Sequence, residues 1–412
     1  MPFLRSLILM PVLAVCLLAT FVPPPALGQV LPPGEEDLLS QAGDFPAIDA
    51  DGQGGFVIAW TESLDSGQEI FASLVPPGEA SPGTPFQVNT RVRGPQVAPS
   101  VAAGPRGDFM VVWQGGISED PTGGDGDHEG VFGQAFSRTG ARLGPQRRLS
   151  ERITAPQVTP RVAALENGSF VAVWEDQSTT RGEIVVRRFS ASGPPLGPEQ
   201  RLAVAGEHNL SPRVASYPGG FAVSWTEEKE DLCSNTQPNA RRAVIARFDR
   251  SGRRTGKLIR IGRLTCKEST AIEALAGSRA GAVAILRTTS GHSVQRLGSS
   301  GEIAGKPVLI SRRLCGGIGE AAFCRYVRDA AMDDQGRFAV VREIAGFPEV
   351  FYADVYKPSS ISPSSVTLGF RDSGSNPAIA LTNGGTVAVA LWQNSRGSRE
   401  GTGLLLQRFR AR

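Results

Sequence analysis

The side chains best suited to chemistry gather in one acidic stretch, where Glu119, Asp120, Asp125, Asp127 and Glu129 surround His128. Within it, Asp125-Gly-Asp-His-Glu129 sets carboxylates at alternate positions around a glycine. That is what calcium asks for: hard oxygen ligands on a chain able to fold round the ion. The segment departs from the EF-hand loop, which carries a further acidic or amide position before its glycine and a distal glutamate. It also lacks the glycine-rich nonapeptide of calcium-binding β-rolls. A solvated acidic loop is the simpler reading, and Asp125, Asp127 and Glu129 stand beside it as candidate calcium ligands. No other cofactor is implied.

The remaining reactive types form no constellation. His128, His208 and His292 lie far apart in the chain, and a lone loop histidine is more often solvated than catalytic. There is no Gly-x-Ser-x-Gly elbow, no phosphate-binding loop and no nucleotide fingerprint. No residue is therefore assigned a catalytic or cofactor-binding role. Cys16 falls in an apolar N-terminal run, which leaves Cys233, Cys266, Cys315 and Cys324. No Cys-x-x-Cys spacing points to structural zinc or thiol redox chemistry.

The N-terminus has the features of a secretory leader. Arg5 precedes a mostly apolar run over 7–21, and Ala26-Leu-Gly28 places small residues before Gln29. The run falls short of the ~20 residues of a comfortable membrane span. A signal peptide over 1–28 is expected, with a secreted or periplasmic mature chain, 29–412, that has no membrane span. In that setting an even number of cysteines suggests disulfides. Lys and Arg total 43 against 40 Asp and Glu, for a net charge of +3. Such a balance argues for neither nucleic acid nor a polyanionic surface as partner.

The elements that would position any site come from a repeat. A phrase running from Phe to Trp occurs as Phe56-Val-Ile-Ala-Trp60, Phe109-Met-Val-Val-Trp113, Phe170-Val-Ala-Val-Trp174 and Phe221-Ala-Val-Ser-Trp225. Worn copies follow at 282–286, 338–342 and 387–391. Each unit begins near a proline or its equivalent, and a glycine-rich turn such as Glu166-Asn-Gly leads into the phrase. The phrase is more continuously apolar than an alternating strand, as expected of a strand buried on both faces. A third strand such as Ile184-Val-Val-Arg-Arg-Phe189 and a half-polar fourth such as Gln200-Arg-Leu-Ala203 complete the unit.

Seven units are counted, starting near 45, 98, 159, 211, 270, 327 and 376, with six or eight as alternatives. The seventh ends after its third strand. Residues 31–41 resemble a fourth strand and lie at the other end of the mature chain. The expectation is one all-β domain: a seven-bladed β-propeller of four-stranded blades, closed by an N-terminal strand that completes the last blade. Closure removes the end blades that an open array would expose.

The phrase Pro-x-Val-Ala-x-x-x-x-Gly-x-Phe-Val-Val-Val-Trp, followed by Gly-[Ile/Val]-Phe-x-Gln-x-Phe, is best kept in residues 99–113 with 130–136, and in 160–174 with 183–189. It resembles a repeat of large, uncharacterised secreted bacterial β-propeller-like proteins. The resemblance covers most of 44–412. It implies an extracellular or cell-envelope propeller and no particular activity.

In such a ring, the blade-to-blade connections and the loops between second and third strands open on one face. The long irregular segments, 114–129, 226–240, 261–269 and 311–325, all belong to that face, which makes it the expected functional one. Cys233 and Cys266 both fall there in the fourth unit, and Cys315 and Cys324 share one connection. Three pairings are open, and these two pairs are the expected disulfides. Arg188, Arg247, Arg296 and Arg408 recur at one place in their units and read as structural. Arg342 replaces the tryptophan of the sixth copy, and wear of the repeat is preferred over a buried ion pair.

The expected function is a non-catalytic, monomeric binding or scaffold module that holds a protein or glycan on its loop-rich face. The alternative is a polysaccharide lyase or hydrolase at the central channel mouth, an argument from fold alone. Two carboxylates and an arginine or histidine converging there would raise it. A lining of small apolar residues would lower it.

Overall fold

The computed structural model describes residues 36–410, apart from 80, 91–93, 117–128, 203–206, 230–238, 266–267, 313–314, 317–322, 346–349, 359, 361, 369–376 and 394–402. It is all β, and its strands form seven antiparallel sheets in a ring. Blade 3 shows the plan: an inner strand Gln157–Ala164, the second strand Phe170–Asp176, the third Glu183–Phe189 and the outer Gln200–Leu202. The protein is a seven-bladed β-propeller. No helix among the described residues is long and apolar enough to cross a membrane.

The Phe-to-Trp phrase is the second strand of each blade, and its side chains alternate between the two neighbouring interfaces. Trp113 packs towards blade 1 beside Val57 and Ala59. Trp174 packs towards blade 2, Trp225 towards blade 3, and Trp60 towards blade 7. In the worn copies Leu286 and Leu391 take the same place and keep their interfaces apolar. Seven apolar clusters result, one at each blade boundary. Between them they bury almost every second-strand residue, which is why the phrase has no polar face.

The N-terminal strand Glu36–Ser40 pairs antiparallel with Gly403–Arg410, so the last blade is built from both parts of the chain. Leu39 enters the core between blades 7 and 1, and Arg408 pairs with Asp37 at 2.9 Å. The sixth sheet departs from four strands. A two-residue strand, Cys315–Gly316, adds to the inner edge of Phe323–Met332. Blade 4 also departs from expectation, because its central hairpin runs on through Glu227, Glu228 and Lys229, where a loop was expected. Glu227 pairs with Arg242 and Glu228 with Arg241, and these cross-strand ion pairs support the longer ladder.

Arg342 is not wear. Its Nε lies 2.8 Å from Asp354 Oδ2, and its guanidinium stands 4.7 Å from the centre of the Tyr352 ring. A local ion pair with a cation–π contact has replaced a tryptophan. Arg188 and Arg408 reach carbonyl oxygens of the next blade, those of Arg250 and Glu79, and Arg296 lies over the next blade's Phe338.

The inner strands line the central channel, and each of the first six carries a bulge of one extra residue. In blades 1 to 4 the bulge is a proline preceded by a residue in the left-handed region: Phe45, Ala98, Thr159 and Ser211, with φ between 49° and 56°. Such residues cost of order 1–3 kcal/mol each and cluster where a side chain must be re-aimed. In blades 5 and 6 the inserted residue is Glu273 or Arg328, with no proline. At the far end of each inner strand the turn glycine takes over, as at Gly107 and Gly168 with φ of 86° and 82°.

Candidate functional site: the central channel

The inner strands enclose a cavity of about 730 Å³ that runs along the ring axis. Much of its wall is small and apolar, including Ala47, Ala163, Ala215 and Ala378. Charged side chains interrupt it: Asp49, Arg161, Arg213, Glu273, Arg328 and Asp329 on the inner strands, with Asp51, Glu166, Arg279 and Asp334 at the turn end. Arg161, Arg213 and Asp329 each come directly after a bulge, at one level on the loop-rich side. Asp49 is two residues further along its strand, about 6–7 Å deeper.

The carboxylates are engaged across blade boundaries. Asp49 Oδ2 accepts the Ala103 N–H of blade 2 at 2.9 Å, and its Oδ1 accepts the Ala50 N–H. Asp329 Oδ2 accepts the Ile379 N–H of blade 7 at 3.1 Å. Glu273 Oε2 accepts the Val327 N–H of blade 6 at 3.2 Å. Ser100 does the same for Val162 at 3.2 Å. These bonds clip inner strands together at the boundaries of blades 1 and 2, 2 and 3, 5 and 6, and 6 and 7.

Enclosure by the wall shifts the charges. Burial carries the Asp49 carboxyl from 3.8 up to about 7, against its two amide donors. Burial likewise raises Asp329, opposed by amide donors and by the two arginines. Arg161 falls to about 9, first through burial and then through repulsion from Arg213. Burial lowers Arg213 as well.

Glu273 leads into a second cluster inside blade 5. Arg287 Nε lies 3.1 Å from its Oε1, and His292 Nε2 lies 2.9 Å from its Oε2. His292 is fully buried, which corrects its reading as a solvated loop residue. It belongs to the third strand Gly291–Leu297, and neither ring nitrogen has a well-aligned hydrogen-bond partner. Its contact with Glu273 is therefore electrostatic proximity.

Of the candidate calcium ligands, Asp125 and Asp127 lie outside the described residues, as does His128. Glu129 is described, and its Oε2 accepts from Gln114 Nε2 at 2.8 Å. Among the described residues no group of three His, Cys, Asp or Glu side chains is placed to hold a metal. Cys233 and Cys266 also lie outside the described residues, whereas Cys315 and Cys324 are direct partners across their ladder. His208 opens the inner strand of blade 4.

Sequence reasoning missed the channel charges, because Arg161 and Arg213 sit inside repeated strand starts. The available signal was the change of type after the proline: alanine or serine in blades 1, 2 and 7, arginine in blades 3 and 4.

No family model matches the chain, and no curated protein matches it. Solved structures do. A Dyadobacter fermentans protein of unknown function is similar over 92% of this chain and 99% of its own, with 13% identity and a TM-score of 0.51. A Hadza microbial sialidase is similar over 90% of this chain and 66% of its own, with 9% identity and a TM-score of 0.52. The likeness is one of fold.

Proposed function

We propose that the protein is an exported, non-catalytic binding propeller that takes its ligand, a glycan or a protein segment, at the loop-rich mouth of the central channel. The observation that carries this reading is the commitment of the channel carboxylates. Asp49, Glu273 and Asp329 each hold a backbone N–H of the next blade. Hydrolytic acid–base work needs two carboxyl groups free to face one bond. The cavity offers open volume instead, of a size suited to a small ligand.

One observation favours an enzyme as the second reading. A carboxyl raised to about 7, as at Asp49, has the proton affinity of a general acid. The two readings separate in one experiment, a glycan array on the full chain followed by product analysis with each glycan bound. Retained glycan without released product supports the binding module. Product release that disappears in Asp49→Asn turns the assignment to a polysaccharide-active enzyme.

A further inference from the structure

Arg161 and Arg213 hold equivalent positions on the inner strands of adjacent blades, each directly after a proline bulge that turns it towards the axis. Their guanidinium groups use little of their donor capacity. Arg161 Nη1 donates to the Pro160 carbonyl at 2.8 Å, and Arg213 Nη1 to the Pro212 carbonyl at 3.0 Å. Arg213 Nε reaches the Glu273 carbonyl at 3.3 Å. A guanidinium offers five N–H donors. Among the described residues no carboxylate lies within 4.0 Å of either group.

This arrangement is costly as it stands. Two like charges sit in one another's field on a wall that partly withdraws them from water, and Asp329, Glu175 and, for Arg213, Glu273 offset them at a distance. Other half-buried arginines are satisfied by a neighbour: Arg342 by Asp354, Arg287 by Glu273, and Arg296 by the face of Phe338. Among the described residues the channel pair has neither a carboxylate nor a ring in contact, and it faces open volume. Neighbouring forks with free donors suit a planar or tetrahedral oxyanion, which takes paired N–H bonds from each. A neutral ligand could take the N–H bonds but would bring no opposite charge into contact with either group.

We propose that Arg161 and Arg213 form an oxyanion clamp in the upper channel, which holds the carboxylate or phosphate group of a small ligand entering from the loop-rich face. The proposal rests on the channel being the binding surface and adds the chemical class of the ligand. The channel volume beside the clamp leaves room for a sugar-sized body behind the anionic group.

The test is calorimetry on the full chain at low salt with sodium glucuronate, inorganic phosphate and neutral glucose. Saturable binding of glucuronate or phosphate, and none of glucose, is expected. Arg161→Gln and Arg213→Gln should each weaken it by about tenfold or more. Arg161→Lys keeps the charge but loses the fork, so it should fold and show an intermediate loss. Binding of glucuronate alone assigns a carboxylate ligand, and of phosphate alone a phosphoryl ligand. Failure of both anions to bind the unaltered chain overturns the clamp. So does anion binding that survives unchanged in the Arg161→Gln/Arg213→Gln double variant. A neutral glycan bound equally by all variants would overturn the clamp while leaving the binding-module reading standing.

Discussion

Asp49 and Ala103 join the inner strands of blades 1 and 2: the Ala103 N–H donates to Asp49 Oδ2 at 2.9 Å. The bond comes with a titration. The Asp49 carboxyl stands at about 7 in the fold against an ordinary 3.8, so in that window folding takes up a proton. Stability from this group is therefore fullest below about pH 4 and is lost as pH rises through about 7. Asp329, raised for the same reason, adds in the same direction. Asp49→Asn keeps an acceptor for Ala103 and removes the titration. It should melt above the unaltered chain at about pH 8, by the equivalent of about 2–4 kcal/mol, and match it near pH 4. A melting difference that stays constant across this range would remove Asp49 as the titrating group.

The indole N–H groups separate two tryptophans that look alike in sequence. Trp174 Nε1 donates to Gln157 Oε1 at 2.9 Å, and Trp113 to Gln96 at 2.8 Å. Trp225 is equally buried, and its N–H has no acceptor among the described residues. Trp174→Phe strands a buried amide oxygen, whereas Trp225→Phe removes a donor that was already unpaired. Urea unfolding should find Trp225→Phe less damaging by about 1–2 kcal/mol. Equal losses would show that the N–H bonds contribute nothing beyond packing.

These two cases show where the fold was legible. The Phe-to-Trp phrase announces a doubly buried second strand because one apolar strand per blade must feed both interfaces, and that demand repeats around the ring. Leucine at 286 and 391 meets the same demand, so the worn copies remained readable. Arg342 was misread because its partner Asp354 lies on the third strand, and only the ladder register brings the two together. The channel site was illegible for a related reason. Asp49, Arg161, Arg213 and Asp329 come from four separate repeats, and what aims them is a backbone bulge. A proline marks that bulge in the sequence without revealing its direction.

The Arg342–Asp354 pair makes a prediction of its own. The Arg342 side chain is only 16% exposed, so removing its partner leaves a charge with little water. Asp354→Ala should cost about 3–5 kcal/mol. The double change Arg342→Leu/Asp354→Leu should cost clearly less, since it removes both charges and adds apolar volume next to an apolar interface. A double variant as unstable as the sum of the single ones would mean that the pair is not coupled.

Cys315 and Cys324 are direct partners in the ladder that opens blade 6, with eight residues between them in the chain. That pairing brings the two backbones to the separation a disulfide spans. Non-reducing peptide mapping of the protein folded under oxidising conditions should find Cys315 joined to Cys324. Closing so short a loop should contribute about 2–3 kcal/mol, read as the loss on reduction or in Cys324→Ser. A peptide linking Cys266 to Cys315 would refute the pairing.

The N-terminal strand closes the ring, and its removal should show how much closure contributes. Glu36–Ser40 covers the edge of Gly403–Arg410, buries Leu39 between blades 7 and 1, and pairs Asp37 with Arg408. Ser40 also donates to Glu62 Oε1 of blade 1 at 2.7 Å. The fit is close, since a Cβ on Gly403 would meet the Ser40 carbonyl at 2.3 Å. Deleting this strand leaves an unpaired, largely apolar edge in the last blade, which invites pairing with another chain. The truncated protein should melt lower and form larger assemblies than the full chain, and a synthetic peptide of the deleted segment should restore the full chain's size by adding back as a strand. A truncated chain that keeps the full chain's size and melting temperature would show that the seven interfaces hold the ring without the closing strand.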